Sequence, residues 1–435
     1  MDSLSGEFAC AFHPDQEDSM TEQVPLIRLD PLASDHHGEA ARMRAAGPVV
    51  RVLLPGDVVA WAVTDHVLLA DLVTGKYGPV SKNWRNWTAI QRGEIADDWP
   101  LIGMIKVTNM VTSDGADHHR LRRPVTRTFT RSRVEGLRPR IEHIVASLLD
   151  ALPAHADGNG VVDLRQHYAY PVPMQVICEL VGVPEPWRPR LRALVDSIFR
   201  TDTTPEDVVA TQRDRHTLLR ELVDLRRGEP EEDLTSALIA TNDHDPEALS
   251  DEELIDTLWL LLTAGHETTL SLIVNGTRAL LTHPEQRDIA LGGDEETWAA
   301  FVEEVLRWDA PIGNFPARYP LEDITIAGIT IPRGEAILAP YSGVGRDPAH
   351  HGGDADRFDI TRGITKHLAF GGGPHICLGA HLALLEATLA LPALFHRYPK
   401  LSLAVDAGEL VPFPSLFSNS TTALPVRLTE EGSTV

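Results

Sequence analysis

The chain has 435 residues, of which 43% are hydrophobic and 23% are charged, so it can bury a substantial core. Acidic residues outnumber basic ones by 63 to 39, and the formal charge of −24 argues against binding of nucleic acid by the whole surface. The three cysteines are too few for a disulfide framework. These features indicate a globular protein of the reducing cytoplasm.

The amino-terminal segment differs from the rest of the chain. It lacks the basic start and the apolar segment of a signal peptide, and it has no helical periodicity. We expect a flexible tail over residues 1–24 and a single domain over residues 25–435, in which no linker or repeat interrupts the pattern. Either Met1 or Met20 can be the natural start. The longest apolar stretches, such as residues 254–264, are too short to span a bilayer, so we expect no membrane anchor.

Most of the elements predicted along the chain are helices. Two β-rich runs at residues 49–54 and 58–64 flank the turn signal at residues 55–57 and predict a hairpin. Another β-rich run lies near residues 324–338. Apolar residues at helical spacing predict helices at residues 137–152, 187–199, 208–227, 298–308 and 378–395.

The longest predicted helix begins at Ser250, which forms a capping box with Glu253, and continues to Pro284. At ~1.5 Å per residue it is long enough to cross a domain of this size. We therefore predict a mainly α fold, a single large helical domain with a long central helix and small β-sheets near its amino-terminal edge.

One cysteine, Cys377, stands between a glycine-rich loop and a predicted helix. Glycines let the backbone approach a flat cofactor, and the amino terminus of a helix favours the negative charge of a thiolate. A single thiolate holds haem iron where electron density must be pushed towards cleavage of the O–O bond. Taken alone, a lone cysteine is more often a small buried side chain. The surrounding sequence is Phe370-Gly371-Gly372-Gly373-Pro374-His375-Ile376-Cys377-Leu378-Gly379.

A second unusual segment lies in the middle of the long helix, where residues 264–269 place a glycine, an acid and two hydroxyl groups in an apolar run. Gly265 weakens a helix interior by ~1 kcal/mol. Threonines at such positions can divert backbone hydrogen bonds. These costs are common at functional sites, although the hexapeptide alone also fits the solvated face of a kinked helix.

Both segments resemble motifs of the cytochromes P450. The loop matches their haem-binding sequence, and residues 264–269 resemble the oxygen-activating Ala-Gly-x-Glu/Asp-Thr segment. The resemblance implies that Cys377 binds the iron, that Thr268 hydrogen-bonds the oxygen, and that Glu267 helps to relay protons. It also implies that the remaining loop and helix positions contact the haem, namely Ala264, Phe370, Gly371 and Gly379.

The resemblance extends to cations for the two haem propionates, for which arginine is well suited because its planar fork donates two parallel bonds. The implied residues are His118, Arg122, Arg318 and His375.

Glu304 and Arg307 resemble the structural Glu-x-x-Arg pair of the family, whose implied partner is Arg357. The basic residues Arg120, Arg123 and Arg127 are candidates for docking an acidic ferredoxin.

In the family the substrate pocket is lined by several loops. Here these loops carry Trp84, Trp87, Trp99 and Met104, then Ile312, Asn314 and Phe315, and finally residues 416–419. The tryptophans fit packing as well as a pocket.

The implied activity is haem-thiolate monooxygenation, in which one oxygen atom from O2 enters a lipophilic small molecule such as a polyketide, macrolide or steroid of secondary metabolism. The implied cofactors are haem b and O2, and electrons come from NAD(P)H through a ferredoxin reductase and a ferredoxin. Three alternatives remain open at this point. They are a P450-type oxidative coupling or peroxygenase enzyme, a haem-binding protein without catalysis, and a zinc protein that uses His375 and Cys377, for which no further ligands stand out.

Overall fold

The computed structural model describes residues 24–127, 129–245, 249–363 and 365–428. The predicted tail lies outside these residues except for Val24. The division into a tail and a single domain stays a prediction.

Helices form most of the regular structure, as predicted. They are α1 (His36–Ala46), α2 (His66–Val73), α3 (Thr88–Gln91), α4 (Ile102–Ile105), α5 (Gly115–Thr126), α6 (Arg131–Gly136), α7 (Arg138–Ala151), α8 (Pro171–Val181), α9 (Arg188–Ile198), α10 (Pro205–Gly228), α11 (Leu234–His244), α12 (Asp251–Thr282), α13 (Pro284–Gly292), α14 (Glu295–Trp308), α15 (Tyr341–Val344), α16 (Pro348–His351) and α17 (Ala380–Arg397).

The strands are short. They are β1 (Leu26–Arg28), β2 (Val49–Leu54), β3 (Val58–Val63), β4 (Val80–Ser81), β5 (Val161–Asp163), β6 (Phe315–Pro320), β7 (Ile324–Ile326), β8 (Ile329–Ile331), β9 (Ile337–Ala339), β10 (Ser402–Leu403) and β11 (Pro425–Arg427).

In the described part of the chain the strands form three small sheets. The largest has the order β1-β2-β3-β9-β6-β4, the second has the order β10-β11-β5, and β7 pairs with β8 alone. The predicted hairpin is confirmed, because β2 and β3 are antiparallel with Leu54 opposite Val58. Gly56 turns the chain between them at a φ of 74°, a left-handed conformation that glycine adopts without strain.

The long helix α12 is the centre of the fold. Its predicted capping box is present, since the Ser250 hydroxyl accepts a hydrogen bond from the Glu253 N–H and the Glu253 carboxylate accepts one from the Ser250 N–H. Apolar side chains surround α12, and it packs against α8, α14 and α17. The helix is long and apolar enough to cross a membrane, but 78% of its most apolar window is buried inside the protein. Burial in the core accounts for this composition.

The predicted Glu-x-x-Arg pair is buried, but its third partner differs from the prediction. The Arg307 guanidinium donates two hydrogen bonds of 2.7 Å to Glu304. Arg362, at 3.7 Å, is the second side-chain cation beside Glu304, whereas the Arg357 side chain is 65% exposed. Arg357 contributes its backbone carbonyl, which accepts a hydrogen bond of 3.0 Å from Arg307. The prediction for the Arg357 side chain was therefore wrong.

Candidate active site

The loop before α17 presents Cys377 to an internal cavity. Gly371 and Gly373 have φ values of 69° and 64°, so the chain turns in a conformation that other residues adopt only with strain. The Cys377 N–H donates a hydrogen bond of 2.9 Å to the carbonyl of Phe370 and closes the loop. Cys377, Phe370, Gly371 and Gly379 all line the cavity, and His375 lines it as well.

The surroundings of the Cys377 sulfur act on its charge in opposite directions. Burial raises the pKa of the thiol, while the backbone N–H groups of Gly379 and Ala380 and the charge of Arg122 lower it. The two N–H groups belong to the start of α17, where unpaired donors favour a negative charge. The loop can therefore hold a thiolate once a metal ion compensates for the cost of burial.

Helix α12 forms the opposite wall of the cavity. Ala264, Gly265 and Thr268 line it, and the Thr268 hydroxyl donates a hydrogen bond of 2.7 Å to the carbonyl of Ala264. A Cβ atom on Gly265 would lie 2.8 Å from the Cδ1 atom of Ile177. The glycine thus lets α8 approach α12 closely, which is a packing reason that the sequence did not reveal.

Glu267 is buried on a different side of α12 and is not among the residues that line the cavity. Its carboxylate accepts a hydrogen bond of 2.9 Å from the Ser418 hydroxyl, and Arg165 lies 3.9 Å away. Burial raises the pKa of Glu267 to about 7, because these two neighbours only partly offset the loss of water. The second carboxylate oxygen, Oε2, has no partner among the described residues.

A cluster of basic side chains borders the cavity beside the cysteine loop. Arg122 donates a hydrogen bond of 2.7 Å to the carbonyl of Ile376, and Arg318 donates one of 2.9 Å to the Tyr341 hydroxyl. The Nη1 atom of Arg318 is buried without a partner among the described residues. Lys82 joins this cluster, with its ammonium group 4.1 Å from the centre of the Phe315 ring.

Two histidines complete the cluster. The rings of His118 and His375 lie 4.4 Å apart, and the Nε2 atom of His375 is 3.7 Å from the Asp114 carboxylate. Burial lowers the pKa of His118 to about 4 and also lowers the pKa of His375, so both are neutral near pH 7. His118 does not line the cavity, and its buried Nε2 atom has no partner among the described residues.

The charges of this cluster do not balance in the described part of the chain. Arg122 and Arg318 are two cations, Lys82 is a third basic group beside them, and Asp114 is the carboxylate that faces the cluster. Burial and the neighbouring Arg318 lower the pKa of Lys82 well below its usual value. Buried cations are stable when an anion pairs with them. The arrangement fits a cofactor with two carboxylates at its edge.

Comparison with known proteins identifies the family. A sequence model of the family described as "Cytochrome P450" matches residues 298–410. The chain is 41% identical to 2-hydroxy-5-methyl-1-naphthoate 7-hydroxylase of Streptomyces carzinostaticus, over 92% of this chain and 97% of that protein. The chain belongs to the cytochrome P450 family.

Two further relatives agree with this assignment. The chain is 40% identical to vitamin D(3) 25-hydroxylase of Pseudonocardia autotrophica, over 90% of this chain and 93% of that protein. The solved structure of CYP154A1 from Streptomyces coelicolor superposes with a TM-score of 0.85 at 45% identity, over 93% of this chain and all of that chain. The mainly α P450 fold is confirmed, and the protein is a P450 monooxygenase that uses haem and O2.

Haem fits the cavity of this P450 on three observations. Cys377 presents its sulfur on one wall, small residues of α12 form the opposite wall, and the unbalanced basic cluster borders the same cavity and could pair with two propionates. Among the described residues, the one group of side chains with the spacing of a metal site consists of three histidines remote from Cys377 in sequence. The zinc alternative based on His375 and Cys377 therefore gains no support.

Several residues at the P450 site could not be predicted from a motif. Lys82 and Tyr341 belong to segments without a motif, and only the folded chain brings them to Arg318. Glu386 lines the cavity from α17 although it is only 1% exposed. Burial raises its pKa well above the usual range, and its Oε2 atom has no partner among the described residues. A glutamate on the apolar face of a predicted helix was the only available signal.

The substrate side of the cavity differs in part from the prediction. Met104, Ile312, Phe315 and Phe417 line it, as predicted for their loops. The three tryptophans are not among its lining residues. The centre of the Trp87 ring lies 5.8 Å from that of Trp99 and 5.7 Å from that of Tyr319, in the core beside the largest sheet. Asn314 is also absent from the lining, where Asn109 supplies an amide group.

Proposed function

We propose that this P450 inserts one atom of O2 into a lipophilic small molecule, and that the Cys377 thiolate would hold the iron of haem b. The observation that carries the proposal is the position of Cys377 across one cavity from Ala264 and Thr268. Haem bound at this thiolate supplies the activation of O2 and the transfer of its oxygen to the substrate. The chain supplies binding, orientation and protons.

The proposed role of the cysteine loop is to keep the sulfur ionised and fixed. The N–H groups of Gly379 and Ala380 approach the sulfur, and the bond between the Cys377 N–H and the Phe370 carbonyl holds the loop closed. Phe370 and Gly371 contact the same cavity and are proposed to pack against the cofactor face.

The proposed proton carriers lie on α12. The Thr268 hydroxyl is in the cavity and can exchange its bond to the Ala264 carbonyl for one to a bound molecule. Glu267 has a pKa of about 7, so near neutral pH its carboxyl group can both accept and release a proton. Because Glu267 faces Ser418 and not the cavity, we propose that it delivers protons along the helix surface and does not contact the substrate.

The proposed partners of the haem propionates are Arg122, Arg318, His375 and, in addition, Lys82. Each of these side chains lines the cavity. His118 packs against His375 and is proposed to orient it. Charge-assisted hydrogen bonds to a carboxylate satisfy the Nη1 atom of Arg318 and restore the charge of Lys82.

We propose a polyketide, a macrolide or a steroid-like molecule as the substrate. The distal part of the cavity is mainly apolar, with Ile198, Phe199, Leu260 and Phe417 among its lining residues. The relatives named above act on a naphthoate and on vitamin D(3), both of which are largely hydrocarbon. An apolar pocket with few polar groups selects molecules of this kind.

Electrons are proposed to come from NAD(P)H through a ferredoxin reductase and a ferredoxin in the cytoplasm. Arg123 and Arg127 are exposed on α5 and at its end, on the helix that also carries Arg122. Arg120 is a weaker candidate for docking, because its two hydrogen bonds of 2.6 and 3.0 Å to Glu253 are partly buried, whereas the single bond of 3.1 Å from Arg123 to Asp245 is exposed. A basic surface on an acidic protein can steer an acidic partner.

The proposal can be tested by turnover of polyketide and steroid compounds with NADPH, a ferredoxin, its reductase and isotopically labelled O2. We expect a product that gains one labelled oxygen atom. The combined variant Arg123→Ala and Arg127→Ala should raise the KM for ferredoxin several-fold, while Arg138→Ala, an exposed arginine on α7, should not. Turnover with hydrogen peroxide alone, and none with O2, would instead establish a peroxygenase.

A further inference from the structure

Three histidines from two separate helices meet at a site remote from Cys377 in sequence. His66 begins α2, and His350 and His351 end α16. One ring nitrogen of each residue lies within 4.8 Å of the corresponding nitrogens of the other two. The rings of His66 and His350 stack at 3.7 Å, and the ring of His351 is perpendicular to both. None of the motifs in the sequence accounts for this cluster.

The hydrogen bonding of the His66 ring leaves one lone pair for a ligand when the imidazole is neutral. The Nδ1 atom of His66 lies 3.3 Å from the carbonyl of Val344, to which it can only donate, and its Nε2 atom is therefore an acceptor. A metal-bound histidine commonly donates its second N–H to a carbonyl in this way.

His351 provides an independent indication of a ligand. The residue is only 8% exposed, and its Nε2 atom is buried without a hydrogen-bond partner among the described residues. Buried polar atoms of this kind are rare unless water or an ion satisfies them. His351 contributes one ring nitrogen to the same group as His66 and His350.

Asp347 fixes the geometry of the two helices that carry the cluster. Its carboxylate accepts hydrogen bonds from the His66 N–H at 2.9 Å and from the Ala349 N–H at 3.0 Å. The first residue of α2 is thus tied to the start of α16. Asp347 also adds a negative charge that raises the affinity of this region for a cation.

We propose that His66, His350 and His351 bind a divalent transition-metal ion such as Zn²⁺ or Ni²⁺. Imidazole is a preferred ligand of these ions, and three histidines with a water molecule form a common coordination set. Two stacked rings cannot both point at one ion, because a metal lies in the plane of each ring that binds it. His350 is exposed and can turn its ring to meet the ion, while the two buried rings remain in place.

The other end of α2 contacts the cysteine loop. A Cβ atom on Gly373 would lie 2.4 Å from the carbonyl of Val73, the last residue of α2. The eight residues of α2 span about 12 Å at 1.5 Å per residue. A metal ion at His66 therefore stabilises a helix that supports the loop without touching the haem ligand, so its effect should appear in stability and not in the spectrum of the haem.

The test is isothermal titration of the chelator-treated, haem-loaded protein with Zn²⁺. We expect one tight site per chain in the wild type and a rise in the thermal midpoint when Zn²⁺ is present. His350→Ala should weaken this site on the order of tenfold or more and abolish the thermal shift. Because His350 is exposed, the variant should fold normally, which an unchanged haem spectrum would verify. His351→Gln should also lose the site.

The matched control is His155→Ala. His155 is an exposed histidine whose ring stacks on that of His167 at 4.0 Å, so it resembles His350 in exposure and stacking, but no third histidine of the described segments joins the pair. This variant should retain the tight site. The proposal is overturned if the wild type has no such site, if His350→Ala binds Zn²⁺ as tightly as the wild type, or if His155→Ala loses the site as well.

Discussion

Replacement of Glu267 by glutamine should stabilise the protein much more at pH 8 than at pH 5. The side chain is buried, and the loss of water raises its pKa to about 7 in the folded protein, against 4.5 for an unperturbed glutamate. Between these two values the native state holds a proton that the unfolded chain has released. The stability of the wild type therefore falls as the pH rises from about 4.5 to about 7.

The size of the effect follows from the two pKa values. At 1.36 kcal/mol per pKa unit, the difference corresponds to about 3 kcal/mol of unfolding free energy lost above pH 7. Glutamine has a similar shape, stays neutral at every pH, and can still accept the hydrogen bond from Ser418. The variant should therefore avoid the loss.

The assay is urea unfolding at pH 5, 6, 7 and 8, followed by circular dichroism and by the absorbance of the haem. Glu142→Gln, which changes an exposed glutamate on α7, is the control and should follow the wild type at each pH. The raised pKa of Glu267 is contradicted if the difference in stability between Glu267→Gln and the wild type is the same at pH 5 and pH 8, or if the variant becomes relatively less stable as the pH rises.

Three further predictions concern the cofactor edge, the buried ion pair and the cysteine loop. Lys82→Met should accelerate transfer of haem to apomyoglobin by roughly tenfold or more, because a charge-assisted hydrogen bond of about 1.5–3 kcal/mol is lost. Lys106→Met, which alters a largely surface ion pair, should not accelerate the transfer. Equal transfer rates for the two variants would remove Lys82 from the site. Arg362→Ala should lower the unfolding free energy by about 2 kcal/mol, and Arg357→Ala should lower it by less than about 0.5 kcal/mol. The reverse order in urea unfolding would contradict Arg362 as the second cation beside Glu304. Gly373→Ala should lower the unfolding free energy by at least about 1 kcal/mol, because residue 373 has a left-handed φ. The loss should appear as a lower thermal midpoint and a lower haem content. An unchanged midpoint would argue against the tight approach of the cysteine loop to α2.

The long helices and the hairpin could be predicted because their apolar periods extend over many residues. Helix α12 was predicted from Ser250 to Pro284 and is observed at Asp251–Thr282. Helices of four residues, such as α3 and α16, are too short to carry a period, and their ends depend on contacts with distant segments. The three short strands between residues 324 and 339 appeared in the sequence only as one β-rich run.

The cysteine loop could be predicted because its functional residues are contiguous in sequence. The cation cluster could be predicted only in part, since it joins four distant segments of the chain and Lys82 has no motif of its own. The choice between Arg357 and Arg362 depends on which side chain turns inward, and neither spacing nor composition decides this. The environment of Glu267 was likewise hidden, because Ser418 and Arg165 reach it from opposite parts of the sequence.

The proposal that Cys377 holds haem iron as a thiolate can be decided by one spectrum. This is the carbon monoxide difference spectrum of the dithionite-reduced protein, recorded for the wild type and for Cys377→Ala. We predict a Soret band at the long wavelength of thiolate-ligated haem in the wild type and its absence in the variant. A colourless wild type, or a variant whose band is unchanged, would contradict the account.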